Sequence, residues 1–169
     1  MDAQRIHSVV TAEVAAHLVG ETRCRSYVGG LLHGIGKLSI YRAAVRYRRG
    51  PEPENAFVIQ ICNQFYAQLG VLIARTWNLD PAVVTAIGFH NSPNKAPGDG
   101  KREAWMVHLG NIIAHTATAE AEGLDTHGRM VIEKMSGVQF DLEEAMDIAH
   151  DALSEAEAFI AAQDDEAEI

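Results

Sequence analysis

The segment YVGGLLHGIGKLSIY, residues 27–41, sets an imidazole, His33, at the end of an apolar helical run. Gly34 and Gly36 follow, and Lys37 opens a second helical run. Between Leu31-Leu32 and Ile35 the imidazole is expected to be half buried, and the glycines permit a sharp turn, with positive φ where one is needed. Such a helix end either keeps a histidine satisfied in the core or presents it to a pocket as a ligand. The segment by itself leaves both readings open.

Outward from this turn the pattern is helical in both directions. Residues 4–20 predict an amphipathic helix, with Ile6, Val9, Val10, Val14 and Leu18 at helical spacing and Gly20 as its stop. His7 lies within a turn of Val10 and Val14 and can face the same core. Helices are expected from Cys24 to His33 and from Lys37 to Arg49. Gly50, Pro51 and Pro53 then make a loop of 50–54. From Asn55 to Trp77 the helical pattern is Phe57, Ile61, Phe65, Leu69, Leu72, Ile73. Asp80-Pro81 is a start signal, Asp as N-cap and Pro at the first helical position, for a helix that carries Val83, Val84 and Ile87 and ends near His90.

Residues 91–101 (NSPNKAPGDGK) read as a long polar loop in which Pro93, Pro97, Gly98 and Gly100 exclude regular structure, a candidate mobile rim or lid. A helix over 102–121 turns Trp105, Leu109, Ile112 and Ile113 inward and stops at Gly123. A shorter helical piece, Gly128 to Met135, precedes Gly137. Asp141 and Glu144 form a capping-box-like start to a stripe of Leu142, Ala145, Met146, Ala149, Leu153, Ala156 and Ile160. No segment shows two-residue alternation. The expectation is one all-α domain over 1–163, with about six to eight helices, and a charged, frayed tail over 164–169.

A chain of 169 residues can bury a proper core without disulfides. Cys24 and Cys62 have no metal-type spacing and read as reduced, buried small hydrophobes. No apolar run approaches membrane-spanning length, and the start MDAQRIHS lacks a signal-peptide core. The expected setting is the cytoplasm, with no membrane partner. The net charge of −9 is uneven: residues 141–169 hold eleven acids and no Lys or Arg, while residues 1–140 hold twelve acids against fourteen bases. The body is therefore near neutral, which argues against general nucleic-acid binding.

Of eight histidines, His7, His33 and His90 fall on different predicted helices, each at an apolar edge near a helix end or turn. Bundle cores build metal sites from such positions, and neutral imidazole suits Zn, Fe, Ni and Mn. Carboxylates are missing at the matching places. Gly34 stands beside His33, Asn91 beside His90, and the inward polar residue of the 102–121 helix is Asn111. His108 and His115 share one face of that helix near Asn111, as a second metal site or as a packed polar stripe. Lys37, Arg42, Arg46, Arg48 and Arg49, with Tyr41 and Tyr47 among them, read either as an anion or nucleotide patch or as a solvated helix face. Trp77 and Trp105 are expected core anchors. His17, His127 and His150 read as surface or capping residues.

The succession His7-Ser8, GLLHGIGKL (30–38), AQLG…TWNLDPAVVTAIGFHN (67–91) and VHLGN (107–111) resembles the HD superfamily of metal-dependent phosphohydrolases, and its HDOD branch most of all. The likeness runs from His7 to about residue 160 in order, spacing and flanking apolar residues. It implies an HD-like helical bundle. It places His7 at the family's first ligand, His33 at the His of the HD pair and His90 at the first of a later His pair. Gly34 then stands for the HD aspartate, Tyr66 for the histidine before the A-E-L-G segment, Asn91 for the second His of the pair and Asn111 for the final aspartate. Two formal negatives are lost from a site that would hold a dication.

The resemblance implies a catalytically silent signalling or regulatory module of bacterial type, without a cofactor. It would bind a signalling protein or a nucleotide-type ligand, with Lys37, Arg42, Tyr66 and Asn91 as ligand-binding candidates. The alternative is a working phosphohydrolase with a divalent metal (Zn, Mn, Fe or Mg) on His7, His33, His90 and Asn111, since three imidazoles can hold one zinc. Lys37 is then the catalytic candidate. A third reading is a plain helical assembly protein. HDOD domains usually carry a helical half before the first His, so the chain is expected to be a shortened form or a piece of a longer one. If it is shortened, a second copy would cover apolar surface on its first helices, making a homodimer.

Overall fold

Ser8, Thr11, Ala12, Ala15 and Ala16 make the first helix narrow, and all five are buried. The computed structural model describes residues 2–19, 25–47, 56–118, 134, 137 and 139–167. In it α1 (Asp2–His17) packs against α2 (Arg25–Leu32), α6 (Lys101–Ala117) and α7 (Leu142–Ala167). The expected amphipathic helix is thus buried over most of its circumference, because its small side chains admit neighbours from several directions. Glycines make the closest approaches. A Cβ on Gly30 of α2 would lie 2.7 Å from the Ala12 Cα, and one on Gly110 of α6 would lie 2.5 Å from the Thr11 carbonyl oxygen.

The second layer is α3 (Ile35–Tyr47), α4 (Ala56–Thr76) and α5 (Pro81–Phe89). α3 and α4 run antiparallel: Gly36 lies against Tyr66 and Gly70, and further along Tyr41 hydrogen-bonds Cys62. A Cβ on Gly36 would stand 1.9 Å from the Tyr66 carbonyl oxygen, so this crossing requires glycine. Neither Gly34 nor Gly36 adopts positive φ; among the described glycines only Gly137 does, at 72°. The expected sharp turn is made at His33-Gly34 without positive φ, and the glycines of the 27–41 segment also serve close packing.

Every described element is helical, as the all-α reading expected, and no strand occurs among the described residues. Asp80 caps α5 as read from the sequence: its Oδ1 accepts from the Ala82 N–H at 2.8 Å, and its Oδ2 pairs with Arg25 Nε at 3.1 Å. Asp141 Oδ1 likewise accepts from the N–H groups of Glu143 and Glu144 at 2.9 and 3.3 Å. The 91–101 loop differs from expectation. It contains a 3-10 turn, Pro93–Lys95, and buries Pro93, Ala96 and Gly100. Pro93 and Gly100 fit it to the bundle, Gly100 against Thr85, while Pro97 and Gly98 stay exposed. α7 runs past Gln163 to Ala167. The expected loop at 50–54, the helical piece at 128–135 apart from residue 134, and Gly20, Cys24, Arg48, Arg49, Gly123 and His127 lie outside the described residues.

Two apolar clusters result. The larger joins Val10, Val14, Trp105, Met106, Leu109, Ile113 and Ala149 across α1, α6 and α7; the smaller joins Ala74, Val83, Val84 and Ile87 across α4 and α5. Trp105 is buried as expected, whereas Trp77 is 54% exposed and anchors no core. The cause is the register of α4. Its buried row is Val58, Cys62, Tyr66, Gly70 and Ala74, spaced by four, and the larger row Phe57, Ile61, Phe65, Leu69, Ile73, Trp77 lies one position away, on the flank. Phe57 is 65% exposed and Phe65 48%. By length and composition α4 is long and apolar enough to cross a membrane, contrary to the expectation that no segment approaches that length. Amides at Gln60, Asn63, Gln64 and Gln68 punctuate the run and hide it.

Candidate functional site

The polar cluster lies where the two layers meet. His7 comes from α1, His33 follows α2, His90 follows α5, Asn111 and His115 ride on α6, and Tyr66 on α4. Their rings form a continuous file. Centroids are 4.2 Å apart for His115 and His7, 5.4 Å for His7 and His33, 5.1 Å for His33 and His90, and 5.6 Å for His90 and Tyr66. His33 and His90 are almost wholly buried, at 0% and 1% exposure, and His7 at 6%. The structure therefore brings His7, His33, His90 and Asn111 together, as their expected common site requires.

Hydrogen bonds assign the ring nitrogens. His33 Nδ1 donates to the Gly30 carbonyl at 2.6 Å, and His90 Nδ1 donates to that of Ile87 at 2.9 Å, so each carries its lone pair on Nε2. His90 Nε2 accepts from the Tyr66 hydroxyl at 2.8 Å, and Asn91 Nδ2 donates to the same hydroxyl oxygen. His7 Nε2 donates to Asn111 Oδ1 at 2.9 Å. His33 Nε2 is buried with no hydrogen-bond partner among the described residues.

Burial holds these imidazoles neutral. His33 is pushed well below the usual histidine range, first by desolvation and then by the neighbouring His90. Desolvation also takes His90 down to about 4, with the Lys37 charge acting in the same direction. His108 is lowered by burial as well, while burial raises the Tyr66 hydroxyl against the bond from Asn91.

Of the remaining candidates, Lys37 reaches the cluster: its Nζ lies 4.8 Å from the centre of the Tyr66 ring. Arg42 stands exposed further along α3. His108 and His115 separate, His108 Nδ1 donating to the His90 carbonyl at 2.7 Å and His115 stacking on His7. They do not form a second site together. A groove of about 260 Å³ lies elsewhere, between α1 and α7, lined by Ile6, Val9, Phe159 and Ile160.

The metal that the resemblance implies does not fit these residues. Among the described residues no Asp or Glu joins the cluster, and no three His, Cys, Asp or Glu side chains are grouped to hold an ion. The His7 nitrogen and the Asn111 oxygen at two nominal ligand positions are bonded to each other. Over Gly34, where the aspartate would begin, lies an amide that sequence reasoning missed: a Cβ there would meet Gln4 Nε2 at 2.5 Å. The signal was present, since Gln4 precedes His7 by one turn and shares its face of α1. His115 was paired with the wrong neighbour, because a shared helix face does not tell which helix will cover it.

Comparison with known proteins returns one family. The family model described as HDOD domain matches residues 1–93. The match takes in His7, His33, Tyr66, His90 and Asn91, and stops before Asn111. No curated protein and no solved structure matches the chain.

Proposed function

The chain belongs to the HDOD domain family, and from that membership we propose that it is a signalling or regulatory module that works by binding and does not catalyse. One observation carries the reading: among the described residues the histidine cluster has no carboxylate. Metal-assisted hydrolysis depends on anionic ligands that seat a hard dication and let it ionise a water. Here those positions hold Gly34 and Asn111, and Asn111 is engaged by His7. Purified protein is expected to carry metal far below one equivalent and to leave bis-p-nitrophenyl phosphate intact. A firmly held ion at one per chain, with turnover of that ester, would overturn the proposal in favour of a phosphohydrolase on a reduced histidine site.

The binding surface we assign is the flank of α4, and its occupant is a second copy of this chain. Phe57, Phe65, Leu72 and Trp77 are each about half exposed or more, with Ile61, Leu69 and Ile73 half-buried between them. Tyr47 and Val45 add exposed apolar surface at the end of α3, the helix packed against α4. Aromatic rings of roughly 150–250 Å² each, about half to four-fifths of each still exposed, bring such a patch, with Leu72 and Val45, to roughly 500–700 Å². Two of them, related by a twofold axis, reach the lower end of the standard interface size. The row Gln60, Gln64, Gln68 beside it supplies the polar rim that such interfaces carry. Lipid would leave those amides unsatisfied.

A further inference from the structure

The amide of Gln4 stands in the volume where the side chain of residue 34 would begin. A Cβ on Gly34 would lie 2.5 Å from Gln4 Nε2 and 3.3 Å from Gln4 Cδ, with Ser8 Oγ at 3.5 Å. Gln4 Nε2 is buried and has no hydrogen-bond partner among the described residues. The amide is thus held there by packing, since no acceptor draws it in. Gln4 lies one turn before His7 on α1, so one helix supplies both the first histidine and the group beside Gly34. On the other side of the cluster the His7–Asn111 bond, at 2.9 Å, joins α1 to α6.

We propose that Gln4 is a plug: its side chain has taken over the carboxylate's place above Gly34 and, with the His7–Asn111 bond, converts an ion cradle into a closed polar seam between the two layers. The inference rests on the reading that the site is not catalytic and names the residue that closes it. Loss of charge alone would leave a weak site. An amide in the ligand's volume competes with the ligand for that space, and restoring the acids restores the cradle only in part while Gln4 remains.

Two measurements test this. The first titrates Mn²⁺ alone, by calorimetry, into Gly34→Asp/Asn111→Asp and into the same protein with Gln4→Ala added. The triple variant is expected to bind about tenfold or more tightly than the double, the size of effect that groups bordering a metal site have on affinity. Equal affinity would overturn the plug. Tighter binding by the double variant would overturn it in the other direction, making Gln4 a hydrogen-bond donor that holds the carboxylate. Failure of both folded variants to bind would overturn the claim that a cradle lies beneath the plug.

The second measurement needs no metal and survives if the acidic variants do not fold. Gly34→Ala is made in the wild-type and in the Gln4→Ala background, and thermal unfolding is followed. A Cβ at residue 34 is expected to lower Tm only where Gln4 is present. The same loss in both backgrounds would show that Gln4 does not own that space. Metal found in the wild-type protein would refute the non-catalytic reading, whereas this cycle tests Gln4 by itself.

Discussion

His33 and His90 are buried neutral, and that has a direct consequence for acid stability. Both have folded pKa values below the unfolded value of about 6.5. As pH falls through that value the unfolded chain takes up protons that the folded chain refuses. The contribution of these groups is therefore whole above pH about 6.5 and is lost as pH falls, for His90 over the range down to about 4. A shift of that size corresponds to on the order of 3 kcal/mol for His90 by the bottom of its range. Urea unfolding at pH 7 and pH 5 is expected to show a lower midpoint at pH 5. Equal midpoints would mean that water reaches the rings. In the same file Tyr66→Phe removes the donor to His90 and the acceptor for Asn91. The expected cost is about 1–3 kcal/mol, measured by the same unfolding.

Among the elements, α3 and α4 depend on a contact that only glycine permits. The Cβ of Gly36→Ala would fall 1.9 Å from the Tyr66 carbonyl oxygen, a backbone atom of a helix that cannot step aside. Overpacking of this kind costs about 1–3 kcal/mol or more, and it displaces the helix that carries Tyr66. Gly98 is the contrast, with nothing within 4 Å of its would-be Cβ. Gly98→Ala is expected to be neutral or slightly stabilising, because it narrows the unfolded ensemble alone. Denaturation midpoints of the two variants against wild type decide the point; similar losses would mean that the α3–α4 crossing is looser than described.

For the molecule as a whole, the uncovered row of α4 predicts association. Light scattering behind a sizing column, at tens of micromolar, is expected to return a dimer. Phe65→Asp, which buries a charge at the centre of the patch only when two copies meet, is expected to return a monomer with unchanged helical circular dichroism. A wild-type protein that stays monomeric at these concentrations would refute the second copy as occupant. The sequence located apolar surface in need of cover on the first helices. In the folded chain α1 is largely buried, Val28 and Leu31 of α2 are partly exposed, and the larger apolar surface belongs to α4.

Helix starts and the ring of histidines were legible without coordinates. Asp80-Pro81 and Asp141 encode their caps locally, through one side chain and the next two or three N–H groups, and local chemistry of that kind is written in consecutive residues. His7, His33 and His90 were recoverable because each is a polar residue at an apolar edge near the end or turn of a different predicted helix. What the sequence left undecided depends on which surfaces meet. The choice between Val58-Cys62-Tyr66 and Phe57-Ile61-Phe65 as the inward row of α4 is a rotation by one residue, and either row is apolar. The contact with Gly36 makes the choice, by demanding a glycine and a bare carbonyl on the facing helix. Gln4 became visible for the same reason. The atoms that fill a space are known only once the helices bounding it are in place.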